Sequence, residues 1–421
     1  MIVRREPKYV RRRRIAVLVV LAFLALMVLG VSRLVGALSG GDAAAAPARS
    51  PVATAAPSAR PSVPSVPAPT PSPAEAQGEP GPSAQTAMVR VLRLAGDIAP
   101  KSVVASQQGL VFAQNMMYRH SVSAFRADGA LLRTIPDDVE LADYGITGHP
   151  GRSRGAPVEM AFSPDGRQAW VSNYAMYGKG FGPEGLDTCS PGDGTGSSFV
   201  YRVNTATYAI EKVVPVGAVP KYVALTPDGR RVLVTNWCSS DLSVIDAGTA
   251  KEVARIPLRG KHPRGIAVSP DSRTAYVALM GSDRVVRVDL ASRAVSDYAT
   301  TGDGPRHIVI SRDGRHLFVT NNGDGTVSKL DRASGSVLRW VRTGREPRSL
   351  AISSDGGAIY SVNYESSTVT KLRTSDLEAV DEVKTDHHPI GITYEPTRKA
   401  VWVACYGGSI LVFDDSRRPV A

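Results

Sequence analysis

Pro220-Lys221-Tyr222-Val223-Ala224-Leu225-Thr226-Pro227-Asp228-Gly229-Arg230-Arg231-Val232-Leu233-Val234-Thr235-Asn236 is one copy of a phrase that the chain writes seven times. It holds a Pro, a short apolar run, a Ser/Thr-x-Asp-Gly turn, a second apolar run and an Asn. Other copies start at Pro157 (turn Ser163-Pro164-Asp165-Gly166), Pro263 (Ser269-Pro270-Asp271-Ser272), Pro305 (Ser311-Arg312-Asp313-Gly314) and Pro347 (Ser353-Ser354-Asp355-Gly356). Weaker copies start at Pro100 and Pro389. From Pro220 onward the prolines fall 43, 42, 42 and 42 residues apart. A fixed period of about 40–45 residues built from short strands is the signature of β-propeller blades.

The turn chemistry supports strands on either side. Pro presets φ at the first central position, Asp tolerates the second, and Gly accepts the left-handed angle that follows. Apolar β-formers flank the turn, and two further strands follow in each unit, such as 242–245 and 251–256. A lone four-stranded sheet leaves apolar faces uncovered, so the units must stack around an axis. The fold expected is therefore all-β, a seven-bladed propeller. The last unit has room for three strands, and Met88–Leu94 is expected to supply the fourth and close the ring. Six or eight blades are the alternatives.

Trp170-Val171-Ser172-Asn173, Val232-Leu233-Val234-Thr235-Asn236 and Leu317-Phe318-Val319-Thr320-Asn321 resemble the Tyr-Val-Thr-Asn core of the YVTN-repeat propeller family, often called YncE-like. The resemblance covers roughly residues 88–421; Ala278-Leu279 and Ala404-Cys405 depart from the pattern. It implies the fold. Such propellers include secreted or surface binding proteins, lactonase-like enzymes and relatives of haem-carrying propellers, so the activity stays open.

Ahead of the repeats lie a basic tail (1–14), an apolar segment (15–38) and a Pro/Ala/Ser-rich linker (39–87). The uncharged run Ile15 to Ser32 meets the lower length for a spanning helix, and the preceding Arg4, Arg5, Lys8 and Arg11–Arg14 place that end in the cytoplasm. An uncleaved signal-anchor is expected, with a cleavable signal peptide as the rival reading. The chain is thus expected at the cell membrane, single-pass, with the propeller on the extracytoplasmic side. Residues 41–87 contain 11 prolines and almost no large apolar side chain, so they form an extended coil with a reach on the order of 100 Å. Much of the formal net charge of +11 belongs to the tail. The mildly basic propeller demands no nucleic-acid partner, which is the less favoured of the possible partners.

The three cysteines, Cys189, Cys238 and Cys405, suit an oxidising compartment. Loops between second and third strands of adjacent blades meet on one face, so Cys189 and Cys238 are expected to pair; Cys405 reads as a buried core thiol. Two insertions, near 137–156 and 174–198, are expected on that same face, where long loops usually carry function.

Five repeats place a base directly after the landmark Pro: Lys101, Lys221, Arg264, Arg306 and Arg348. They are expected to form a broken positive ring at the channel mouth and to attract an anion. Tyr174, Tyr177, Asn173, Asn236, Trp237, His262 and His388 are expected on the loop face around it, although Asn at the end of the second strand also suits a tight turn. Six of the seven histidines, His307 among them, are expected on that face, without a spacing that marks a metal site. There is no Cys-x-x-Cys-His, nucleophile elbow or P-loop, and no cofactor is expected. The reading is a binding or scaffold module for an anionic small molecule, a glycan or an envelope protein. The alternative is a lactonase-like, metal-dependent hydrolase on the same face.

Overall fold

The hydroxyl that opens each Ser/Thr-x-Asp-Gly run bonds to the Asp two residues on, as in Ser163 to Asp165 (2.5 Å) and Thr226 to Asp228 (2.5 Å). The same carboxylates accept the amides of Arg167 and Arg230, which fastens the turn. Gly166, Gly229, Gly314 and Gly356 follow with φ of 70–75°, where a side chain would be strained; blade four uses Ser272 there at φ 60°.

These turns join the two inner strands of each blade in the computed structural model, which describes residues 82–417. Six four-stranded sheets and one five-stranded sheet follow in chain order. Their innermost strands are Ser102–Ala105, Arg152–Phe162, Pro220–Leu225, Pro263–Val268, Pro305–Ile310, Pro347–Ile352 and Pro389–Glu395. Ala87–Ala95 pairs antiparallel with Ser409–Arg417 and completes the seventh blade, so first and last strands share one sheet. The protein is an all-β, seven-bladed propeller. The tail 1–14, the segment 15–38 and the linker up to 81 lie outside the described residues. The folded body begins earlier than the linker boundary at 87, with a 3-10 turn at Pro82–Gln85.

Each blade buries its two faces against its neighbours. Trp170 and Val200 of the second blade pack with Val223, Val234 and Ile245 of the third, and Leu242 and Val244 pack with Ile266, Val277 and Val286 of the fourth. Similar clusters fill the other junctions, including the one across the closure, where Val111 and Phe125 meet Trp402 and Val412. Each fully buried branched side chain contributes about 1.5–3 kcal/mol, and the ring collects this at every junction.

The recurring Asn at the end of the second strand is a structural residue. Asn236 is fully buried and its amide donates to Asp241 (2.6 Å) and Ser243 (2.9 Å) on the third strand. Asn115, Asn321 and Asn363 repeat this with Ser and Thr hydroxyls. Asn173 is equally buried, beneath the insertion. The expectation that Asn173 and Asn236 face a ligand is therefore corrected: both are buried inside the blade, Asn236 held there by its third-strand bonds, whereas the side-chain amide of Asn173 has no hydrogen-bond partner among the described residues.

In six of the seven blades the residue after the landmark Pro lies in a β-bulge. In the third blade Pro220 pairs with Asn236 and Tyr222 with Thr235, leaving Lys221 as the extra residue. Register shifts at the same place leave Arg348 and Ile390 as the extra residues in their blades, and Val158 in the second. Bulges re-aim side chains, and these ones sit at the channel.

The insertions build a crest on the second blade. Asp138–Glu140 adds a fifth strand to the start of Arg152–Phe162, and the partner strand extends through Gln168–Tyr177. His149 of the first insertion stacks on Phe181 of the second at 4.0 Å, so both rise on one face. The Cys189–Cys238 disulfide ties the second insertion to the third blade, and Cys405 is a buried free thiol.

Candidate functional site: a cationic mouth over a polar tier

Three features of the repeat bring side chains to the channel mouth. The bulge presents the base that follows Pro. The residue before Pro takes a left-handed conformation at Val219, His262, Glu346 and His388 (φ 53–57°) and at Gly304 (φ 67°). Its carbonyl accepts the amide of the residue after the Asn position, as in Val219 to Trp237 (2.9 Å) and His388 to Tyr406 (2.9 Å). This hairpin lays Trp237, Tyr364 and Tyr406 beside the bulged bases. Left-handed backbone costs a non-glycine residue about 1–2 kcal/mol, which the surrounding packing must over-determine.

The five predicted bases converge. Lys101 has its pKa held well below the ordinary lysine value by burial first, then by Arg264, Arg306, Arg348 and Lys221. Three acids answer them: Asp187 lies 3.5 Å from Lys221, Glu159 3.8 Å from Arg264 and Glu346 2.8 Å from Arg348. Arg306 donates instead to the Arg348 carbonyl, and Lys101 sits 5.5 Å from the centre of the Tyr406 ring. Lys101 and Arg306 are thus the two cations without an acid in an ion pair.

Aromatic rings carry the cations. Lys221 lies over Tyr174 (4.2 Å) and Trp237 (5.0 Å), and Arg348 over Tyr364 (3.4 Å). His262 stacks on Trp237 and His388 on Tyr364. Burial, then Arg264, pushes the Lys221 ammonium down to about 7, with Asp187 opposing. The Asp187 side chain is 76% exposed, so its opposition is screened by solvent.

Of the remaining predicted residues, Tyr174 donates its hydroxyl to the Gly185 carbonyl, and one ring nitrogen of His262 meets the Cys189 carbonyl at 2.9 Å. Tyr177 belongs to the crest, against His120 and Glu184. His307 is corrected: it lines the channel below the mouth, because its strand position is the second after Pro.

That second position forms a tier which reading the bases alone missed: Ser102, Glu159, Tyr222, Gly265, His307, Ser349 and Gly391. Its signal was a repeat position that stays polar or small while its neighbours are apolar. Burial, then Arg306 and Arg264, pushes His307 down to about 3, so the ring is neutral. Its Nδ1 accepts the Leu350 amide (2.6 Å) and its other nitrogen meets the Tyr222 hydroxyl (2.6 Å). Both nitrogens are engaged, which suits neither a metal nor an axial haem ligand. Among the described residues no group of three or more His, Cys, Asp or Glu is placed to hold a metal ion.

A family model described as lactonase, 7-bladed beta-propeller, matches residues 192–338, and one described as cytochrome D1 heme domain matches residues 295–408. No curated protein matches. Among solved structures, the hydrazine synthase of Kuenenia stuttgartiensis is similar over 76% of this chain and 96% of that chain, at 20% identity and a TM-score of 0.60. At that identity the likeness is one of fold.

Proposed function

We propose that the propeller is a binding module whose loop-face mouth captures an anionic ligand, held outside the cytoplasm by the segment 15–38 and its linker. The observation that carries the reading is the ring itself: five cations, of which Lys221, Arg264 and Arg306 are buried and Lys101 and Arg348 half-buried, face three acids, which leaves Arg306 and Lys101 to meet an anion. A charge-assisted hydrogen bond from a buried guanidinium is worth about 1.5–3 kcal/mol. Citrate titrated calorimetrically into the protein is expected to bind with an affinity that falls with salt. Arg306→Gln should weaken it about tenfold or more, whereas Arg230→Gln, the same charge change on an exposed turn, should leave it unchanged. Equal losses in the two variants would mean that only net charge matters, and the reading would fail.

One observation favours a second reading, a lactonase-like hydrolase: the match to the lactonase model over 192–338, together with Glu159, Tyr222 and His307 beneath the mouth. Turnover in a panel of lactones, with and without divalent ions, that is lost in Glu159→Gln would favour it over capture alone.

A further inference from the structure

Below the cationic ring lies a cavity of about 450 Å³, lined by inner strands of six blades and reaching their turns at Pro164, Pro227 and Arg312 on the opposite face. None of the five bases lines it. Its walls mix apolar side chains, Val104, Phe162, Leu225, Val309, Ile352 and Ile392 among them, with polar ones. That volume lies within the range of small-molecule sites.

Polar groups line both ends, with Gln107, Ser163, Thr226 and Arg312 toward the turns, and beneath the ring their hydrogen atoms can be assigned. His307 Nδ1 accepts the Leu350 N–H, so the proton of the neutral ring is on Nε2. Nε2–H then donates to the Tyr222 oxygen. The Tyr222 hydroxyl must direct its own proton elsewhere, and no other hydrogen bond from it occurs among the described residues. Ser102 donates to Gln114 and Ser349 to the Ile390 carbonyl, so both are committed. Glu159 lines the same end and disfavours a carboxylate there.

We propose that this chamber is a second binding site, entered from the turn face, for a small ligand with an apolar body and one carbonyl group, whose oxygen accepts the Tyr222 proton. The proposal stands apart from anion capture at the mouth, because the bases take no part in it.

The test uses 2-alkanones from 2-pentanone to 2-octanone, with carbon-13 at the carbonyl, titrated by NMR into the full-length chain. Each variant is kept in the same carrier, so partition into the carrier cancels. Affinity is expected to rise about fourfold per methylene until the chamber is full. It should be indifferent to salt, unlike citrate at the mouth. The bound carbonyl signal should move downfield, and Tyr222→Phe should reduce that shift while keeping the chain-length dependence. Ala224→Leu and Ala351→Leu, two wall positions, should each weaken binding about tenfold with citrate binding intact. Binding equal in wild type and in both leucine variants, or a bound carbonyl without a downfield shift, overturns the proposal. Loss of citrate binding alone leaves it standing.

Discussion

Lys221 shows how much one repeat position can hold. It follows a proline, it is the extra residue of a bulge, and its ammonium lies over two aromatic rings beside Arg264 and Asp187. Burial and the neighbouring guanidiniums disfavour its charge, so it titrates near 7, where an ordinary lysine would stay protonated. As pH rises through about 7 the mouth loses this charge, and citrate affinity is expected to fall between pH 6 and 8. Burial lowers the pKa of His262 from its ordinary value, which moves its own titration toward the acid side. Lys221→Arg should flatten the profile; a profile unchanged by that substitution would assign the titration to another group. The stability sign is the reverse. A lysine with a lowered folded pKa penalises the fold fully below about 7, and the penalty fades as pH climbs toward the unfolded value.

At the scale of the element, the second insertion is a strapped loop rather than a loose one. Its Asp187 carbonyl accepts the Trp237 indole N–H (3.1 Å), its Cys189 carbonyl meets His262, and the disulfide closes a separation of 49 residues. Loop-closure entropy for such a separation amounts to about 4 kcal/mol, with 2–4 kcal/mol typical in practice. Replacing both cysteines by serine is expected to lower the urea midpoint by an equivalent amount at unchanged slope. A reducing agent should reproduce the loss in the parent protein and do nothing to the variant. The glycines of the inner strands act at the same scale. A side chain at Gly265 would meet three backbone atoms of the next blade at 2.9 Å, so blades four and five touch through bare backbone there. Gly265→Ala is expected to cost about 1–3 kcal/mol in the same urea titration, and no loss would show that the blades can part.

The whole ring depends on its seam. Lys371 of the sixth blade is fully buried and bonds to Asp415 (2.5 Å) and to the carbonyl and hydroxyl of Thr86 just ahead of the closing strand. Tyr360 also donates to Asp415, and Ser83 is held by Asp355. Replacing one partner of a buried pair leaves an uncompensated charge. Lys371→Met is therefore expected to cost about 3–5 kcal/mol in urea unfolding. Adding Asp415→Asn should recover part of that loss, because the stranded carboxylate is gone. If the double variant is no more stable than the single one, the seam is held by packing and not by this charge pair.

The period, the turn motif and the apolar alternation determined the propeller, and made seven blades closed by the strand at 88–94 the favoured reading over six or eight, because each is a local rule repeated along the chain. The base after five of the seven prolines and the Cys189–Cys238 pair were legible for the same reason: register alone places them. Tertiary structure decided the rest. Whether Asn236 faces a ligand or the third strand depends on a carboxylate five residues further on and a hydroxyl seven residues on. Whether His307 lies on a loop or in the channel depends on a bulge that turns on pairing between strands. The Tyr222–His307–Leu350 chain joins three blades, and Lys371 with Asp415 two. Contacts between blades are set by closing the circle, and closure is a property of the ring that no single repeat carries.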